Sequence, residues 1–436
     1  MFDLDKLNWY AIDPVDLLLM REAKPFSPGD GSWAKGQFPP LPITVFQALR
    51  SATERQEGNR TQRQHQFIGP FLLYSPPDEA PTLWLPTPND MVCVSTRTIK
   101  DGESKNDQES ETLDETPTRW HRTARFHPLN QTSDLAWQLV GFDPSQFGDN
   151  GLIPMVPPRL SADTQAIAHE GDGEAIASTN TATLRRFTPQ AGEKERYEAV
   201  SGRPPAWIQA KYLADYLNGA SIAAPGSSSL TADTPFHDDP WDVQVLPHIK
   251  MKSDTRQVKD EEGYFTEVSI RMRPYWQLVA GFSADLTAKV VRLGGEGHRA
   301  IITRLDSLPQ WDKLQKFLSP ESGRQTAYVL TPGLAETAPE SEVYSLLPHQ
   351  WAGKLAGCVG DRPLLWGGMS VFRKTGDTKQ EVAFQPQRAF IQPGTVYRFK
   401  AGQVPSQQER LLPDANNSNW LKTFETLHYG TLLWGQ

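Results

Sequence analysis

Apolar and polar positions divide the 436-residue chain into a patterned start, a loosely patterned middle and a patterned second half. Residues 7–12, Leu-Asn-Trp-Tyr-Ala-Ile, read as a strand, because aromatic and β-branched side chains suit a pleated surface. Asp13-Pro14 ends it. Phe38-Pro39-Pro40-Leu41-Pro42 is extended, and Thr44 is an N-cap candidate for a helix carrying Val45, Leu49 and Ala52 on one side. From about 55 to 240 the strand-like runs are short, at 67–74, 82–85 and 91–99. The clearest helix there is 207–218, with Ile208, Tyr212 and Leu213 at helical spacing and Gly219 at its end.

Beyond 240 the pattern sharpens. Segments 243–252 and 264–273 read as strands around a polar tip, and 278–282 continues as strand. Residues 285–291 predict a short helix, and a glycine run leads into a strand at 300–305. The order then recurs: strand 327–330, helix 345–356, strands 364–372 and 388–400, helix 420–427 and strand 431–434. Each half therefore spells β-α-β-β-α-β. The expected fold is α+β, with two ferredoxin-like domains in tandem. The first spans 1–310 and carries an insertion at about 55–240; the second spans 311–436. An insertion of that length must hold elements of its own.

Composition narrows the function. The net charge is −8, yet residues 101–115 hold seven acids against Lys105, so the remaining chain is close to neutral and has room for a basic face. The two cysteines, Cys93 and Cys358, form no CxxC pair, which disfavours a disulfide framework or cysteine zinc site and suits a cytoplasmic location. Asp3 and Asp5 precede any apolar run, unlike a signal peptide. No apolar stretch reaches the ~20 residues that span a bilayer, so no membrane contact is expected.

Catalytic patterns are absent or coincidental. Ser32-Trp33-Ala34-Lys35 fits S-x-x-K but lies in a loop without companion motifs. His237-Asp238-Asp239 lies in loop-like surroundings without further metal ligands. None of the nine histidines forms H-x-x-x-H, and there is no P-loop or G-x-S-x-G elbow. No catalytic residue, metal or cofactor is expected.

Binding features are more promising. In Gly294-Gly295-Glu296-Gly297-His298-Arg299 three glycines allow positive φ and close approach. Successive N–H groups there would form an anion nest beside His298 and Arg299. A tight turn between packed elements explains the same residues equally well. Residues 119–127 interleave Arg119, Arg122 and Arg125 with Trp120 and Phe126, which suits RNA but suits an amphipathic strand better. Lys250, Lys252, Arg256 and Lys259 make a basic hairpin tip, followed at once by Asp260, Glu261 and Glu262.

Six segments, in order, resemble one family. They are Asp13-Pro14 with residues 16–21 and Lys24-Pro25-Phe26; Phe38-Pro39-Pro40 through Thr44 to Arg50; Glu261-Glu262-Gly263-Tyr264-Phe265; Leu293 through Arg299; Arg388 through Tyr397 around Pro393-Gly394; and His428-Tyr429-Gly430 to Gly435. The chain resembles the subunit-three family of the Cmr complex, the type III-B CRISPR effector, within the RAMP superfamily. The resemblance implies two ferredoxin-like domains without catalytic residues, and contacts with the large polymerase/cyclase-like subunit and a backbone subunit. It also implies a grip on the 5′ handle of the crRNA. Gly294, Gly295, Glu296, Gly297, His298 and Arg299 would cradle phosphate. Lys252, Arg256 and Lys259 would clamp a nucleotide, and Arg21 and Arg50 are further phosphate partners. Two alternatives stand beside this: a RAMP-type metal-independent endonuclease using His298, and a protein scaffold without RNA contact.

Overall fold

The computed structural model describes residues 7–20, 33–34, 36–53, 65–98, 120–128, 155–164, 183–187, 196–225, 233–249, 264–338, 344–373, 380–405, 410–414 and 419–436. The fold is α+β, rich in strands and poor in helices. Its largest sheet is built around strand Asn8–Pro14, which pairs antiparallel with Trp276–Phe282 on one side and Arg299–Leu305 on the other. Phe67–Tyr74 follows beyond Trp276–Phe282. Short strands extend the sheet past it, and Val290–Arg292 forms the opposite edge. Both faces of Asn8–Pro14 are covered. Tyr10 and Ile12 enter one apolar cluster, while Trp9 and Ala11 enter another, as the two-residue period requires.

Sequence patterning placed segments 243–252 and 264–273 in the middle of this unit. Instead Trp241–Ile249 and Tyr264–Met272 pair with each other in a separate small sheet, joined by Trp33–Ala34. Phe67–Tyr74 and Trp276–Phe282 take the central places. The reason is burial on both faces: Phe67–Tyr74 is nearly continuously buried and shows no alternation. Alternation marks a peripheral strand, and along Trp241–Ile249 it turns Val243 outward at 64% exposure, with Val245 and Ile249 beside it.

The first helix, Pro42–Ser51, starts two residues before the expected Thr44 cap. Leu41 is the N-cap without a side-chain bond, and Pro42 opens the helix, where its missing N–H costs nothing. Val45, Phe46 and Leu49 are buried in the core, each contributing roughly 1.5–3 kcal/mol. The helix expected at 285–291 is not formed; that stretch is irregular and ends in the strand Val290–Arg292. In place of a helix over 207–218 the chain forms a strand, Trp207–Gln209, and a helix, Ala210–Leu217.

The C-terminal four-stranded sheet has the order Leu355–Val359, Val396–Phe399, Thr326–Val329, Leu432–Gly435, all antiparallel. A hairpin, Leu364–Arg373 with Gln380–Phe390, forms a separate two-stranded ladder. The helix expected at 345–356 is one 3-10 turn, His349–Trp351, whereas the last helix forms at Asn419–Thr426. Counted along the chain, the strands of this sheet lie in the order 2-3-1-4. The set Asn8–Pro14, Phe67–Tyr74, Trp276–Phe282 and Arg299–Leu305 has the same order. The two halves share their cores: Val45 and Leu49 cluster with Phe390, Leu421 and Phe424, and Ile68 and Leu73 cluster with Tyr328 and Leu433.

Candidate nucleic-acid interface

The glycine run is the turn of an edge hairpin, between Val290–Arg292 and Arg299–Leu305. Leu293 N–H donates to His298 O at 2.9 Å and closes the turn. Positive φ occurs at Gly294, Glu296 and Gly297; at Glu296 this is uncommon for a residue with a Cβ. The glycines serve different ends. A Cβ on Gly294 would stand 2.5 Å from Leu19 O, and Gly295 N–H donates to that same carbonyl at 2.8 Å. The close approach that Gly294 permits is thus to the protein's own N-terminal segment. Gly297, by contrast, has nothing within 4 Å of its would-be Cβ. The packing reading of this run therefore holds at Gly294, while Gly297 stands open.

The loop is anchored from beneath. His298 Nε2 lies 3.1 Å from Glu267 Oε1, and His248 Nε2 lies 2.8 Å from Glu267 Oε2. Ser269 Oγ also donates to Glu267, whose side chain is 1% exposed. Burial works against ionising this carboxyl, but the bonds from Ser269 and His298 and the charges of His298 and His248 outweigh it and lower its pKa. His298 accordingly directs Nε2 to Glu267 and acts as a strut of the loop.

Arg299 is exposed beside the turn, and its carbonyl accepts from Val15 N–H at 3.0 Å. Arg50 sits on helix Pro42–Ser51 with its guanidinium 5.8 Å from the Phe46 ring. Arg21, Lys252, Arg256 and Lys259 lie outside the described residues. Alongside the loop runs a groove of about 760 Å³, lined by Gly294 and Gly295, by Thr44, Gln47 and Ser51, and by Trp366 of the C-terminal hairpin. Arg50 is not part of that lining.

The basic-aromatic run at 119–127 has a structural role. Arg122 Nε donates to the buried Glu198 at 2.8 Å, His121 lies 2.9 Å from the same carboxylate, and burial of that carboxyl is outweighed by these bonds, so its pKa falls to about 2. Arg125 stacks 3.7 Å from the centre of the Tyr216 ring. Sequence reasoning missed Arg292, Glu267 and His248. Arg292 was within reach, since a turn closed by Leu293 and His298 sets Arg292 opposite Arg299. The carboxylate was not, because its partners lie 19 and 31 positions away. Among the described residues no group of three or more His, Cys, Asp or Glu side chains is placed to hold a metal. No helix among them is long and apolar enough to cross a membrane.

Comparison with known proteins first gives the class: the chain matches the CRISPR-associated proteins, through the profile described as "CRISPR-associated protein (Cas_Cmr3)", over residues 10–134 and 161–436. The match takes in most of the chain. The chain belongs to the Cas_Cmr3 family, the subunit-three family of the type III-B Cmr effector. Among solved structures, a cryo-EM structure of the Type III-B Cmr-beta bound to cognate target RNA and AMPPnP is similar at 10% identity and TM-score 0.39, covering 89% of this chain and 86% of that one. A second, of the Type III-B Cmr-beta bound to cognate target RNA, has 10% identity, the same coverages and TM-score 0.35. No curated protein matches the chain.

Proposed function

We propose that this chain holds the 5′ handle of the crRNA in a type III-B effector and joins the large polymerase/cyclase-like subunit to a backbone subunit, without performing chemistry itself. The observation that carries this reading is the glycine loop. Its tip is open at Gly297, its base is fixed by Leu19 and Glu267, and Arg299 is exposed beside it. A loop already held in place loses little conformational freedom on binding. An exposed arginine supplies sequence-independent attraction to phosphate. The two strand sets in 2-3-1-4 order support reading the chain as two ferredoxin-like units, 1–310 and 311–436. Pro42–Ser51 keeps the first helix in one unit, and Asn419–Thr426 keeps the second in the other.

The test is to co-express the chain with the large effector subunit and measure binding of crRNA with an intact or a scrambled 5′ handle, watching for cleavage on the same gel. Tighter binding of the intact handle, with the RNA uncut, is expected. Arg299→Gln should weaken binding with little sequence dependence and reduce the log–log salt slope by about 0.7. Equal binding of both RNAs would leave a protein scaffold, and cut RNA would leave an endonuclease.

A further inference from the structure

Directly across the ladder from Arg299 stands Arg292. Opposed residues of an antiparallel pair project to the same side, with Cβ atoms about 5 Å apart. Both arginines are exposed, and neither has a side-chain ion pair or hydrogen bond among the described residues. Like charges so placed repel. A fold that keeps them together without a carboxylate leaves a site for an external anion.

Arg292 also lines the groove beside the loop, whose helical wall presents Thr44, Gln47 and Ser51 around the small apolar Ala48. These three recur at i, i+3 and i+7 along Pro42–Ser51, on the face turned away from the buried Val45, Phe46 and Leu49. An uncharged strip of two hydroxyls and one carboxamide therefore leads away from two uncompensated cations. Ser51 Oγ donates its proton to Ala48 O at 2.6 Å, which leaves its lone pairs to accept.

We propose that Arg292 and Arg299 grip a single phosphodiester of single-stranded RNA, and that Thr44, Gln47 and Ser51 receive the sugar hydroxyls and base edge of the adjoining nucleotide. This rests on the RNA-holding reading above and deepens it by assigning Arg292 and the helix strip to the same site. One phosphodiester anion between two guanidiniums relieves their repulsion. The uncharged wall suits a sugar and base rather than a second anion.

The experiment uses the full chain in its effector complex and measures crRNA affinity against salt for wild type, Arg292→Gln, Arg299→Gln, the double variant and Gln47→Ala. Each arginine change should lower affinity on the order of tenfold, and the double variant should lower the salt slope by no more than about 0.7, the value for one phosphate. The double variant should lose less than the product of the single effects, because both groups share one phosphate. Gln47→Ala should weaken binding with the slope unchanged. Without RNA, Arg292→Gln should raise the thermal midpoint at low salt by on the order of 1 °C, which also shows that the variant folds. If Arg299→Gln weakens binding and Arg292→Gln does not, the clamp is wrong while the handle reading stands. If neither matters yet the intact handle is still preferred, RNA passes elsewhere and the inference falls. If the wild-type complex fails to prefer the intact handle, the underlying reading falls, and this one with it.

Discussion

Glu267 holds His298 at 3.1 Å from a carboxylate that is 1% exposed. The same carboxylate reaches His248, which lies on the neighbouring strand Trp241–Ile249. One buried side chain thereby ties the glycine loop to the small sheet. Glu267→Ala should cost about 1–3 kcal/mol, the penalty for leaving buried donors without an acceptor. It should also raise hydrogen exchange at residues 293–298 above that elsewhere in the main sheet. Unchanged exchange there would mean that Leu19 alone fixes the loop.

Acid should destabilise the protein in two stages. His428 is buried, and desolvation first, then the charge of Arg410, pushes its pKa from 6.5 down to about 3. The unfolded chain takes up that proton first, so stability falls as pH drops below about 6.5. Glu198, held at about 2 against an ordinary 4.5, contributes stability above 4.5 that is lost as pH falls toward 2. His428→Asn should flatten the upper stage, and Asn tolerates the positive φ of 51° found there. Glu198→Gln should remove the lower stage and lower stability at pH 7. Denaturant titrations at pH 7, 5.5, 4 and 3 check both, and a wild-type profile flat to pH 4 would contradict the first.

The glycines of the loop should separate on substitution. Gly294→Ala sets a Cβ 2.5 Å from Leu19 O at φ 85°, so the contact must open. A loss of about 2–4 kcal/mol is expected from strain and the displaced segment. Gly297→Ala at φ 82° meets no neighbour within 4 Å and should cost about 1 kcal/mol from backbone conformation alone. Thermal melts of the two variants give the comparison, and equal losses would refute the division of roles.

Strongly patterned local signals carried over from sequence to structure, whereas the weaker helix signals at 285–291 and 345–356 and the long-range pairings did not. The strand at Asn8–Pro14 and the helix at Asn419–Thr426 follow from side-chain period and propensity, and both stand within a residue or two of their expected places. The interleaved run at 119–127 suits an amphipathic strand, and a strand does form at Arg122–Arg125, but Thr123, Ala124 and Arg125 are buried in succession rather than alternately. Strand partnership is a different matter. Phe67–Tyr74 looked like one short apolar run among several, because a strand covered on both faces has no alternation to announce it. The hairpin of Trp241–Ile249 has strong alternation because it is peripheral. Thr44 drew the helix start because hydroxyl caps are common, but a proline with fixed φ at the first position serves as well. At the candidate site, the glycines and Arg299 are visible as a contiguous string. The role of His298 was hidden, since nothing in its neighbours predicts Glu267.

The pairing of Asn8–Pro14 carries a consequence for biosynthesis. Asn8–Pro14 is flanked by Trp276–Phe282 and Arg299–Leu305, so both partners leave the ribosome long after it does. At ordinary elongation rates that wait is on the order of fifteen seconds to a minute. Throughout it Trp9, Tyr10 and Ile12, all buried in the finished fold, have no sheet to join. A nascent chain of this design needs shelter for its first strand, and its yield should respond to chaperone supply and translation speed more than its final stability suggests.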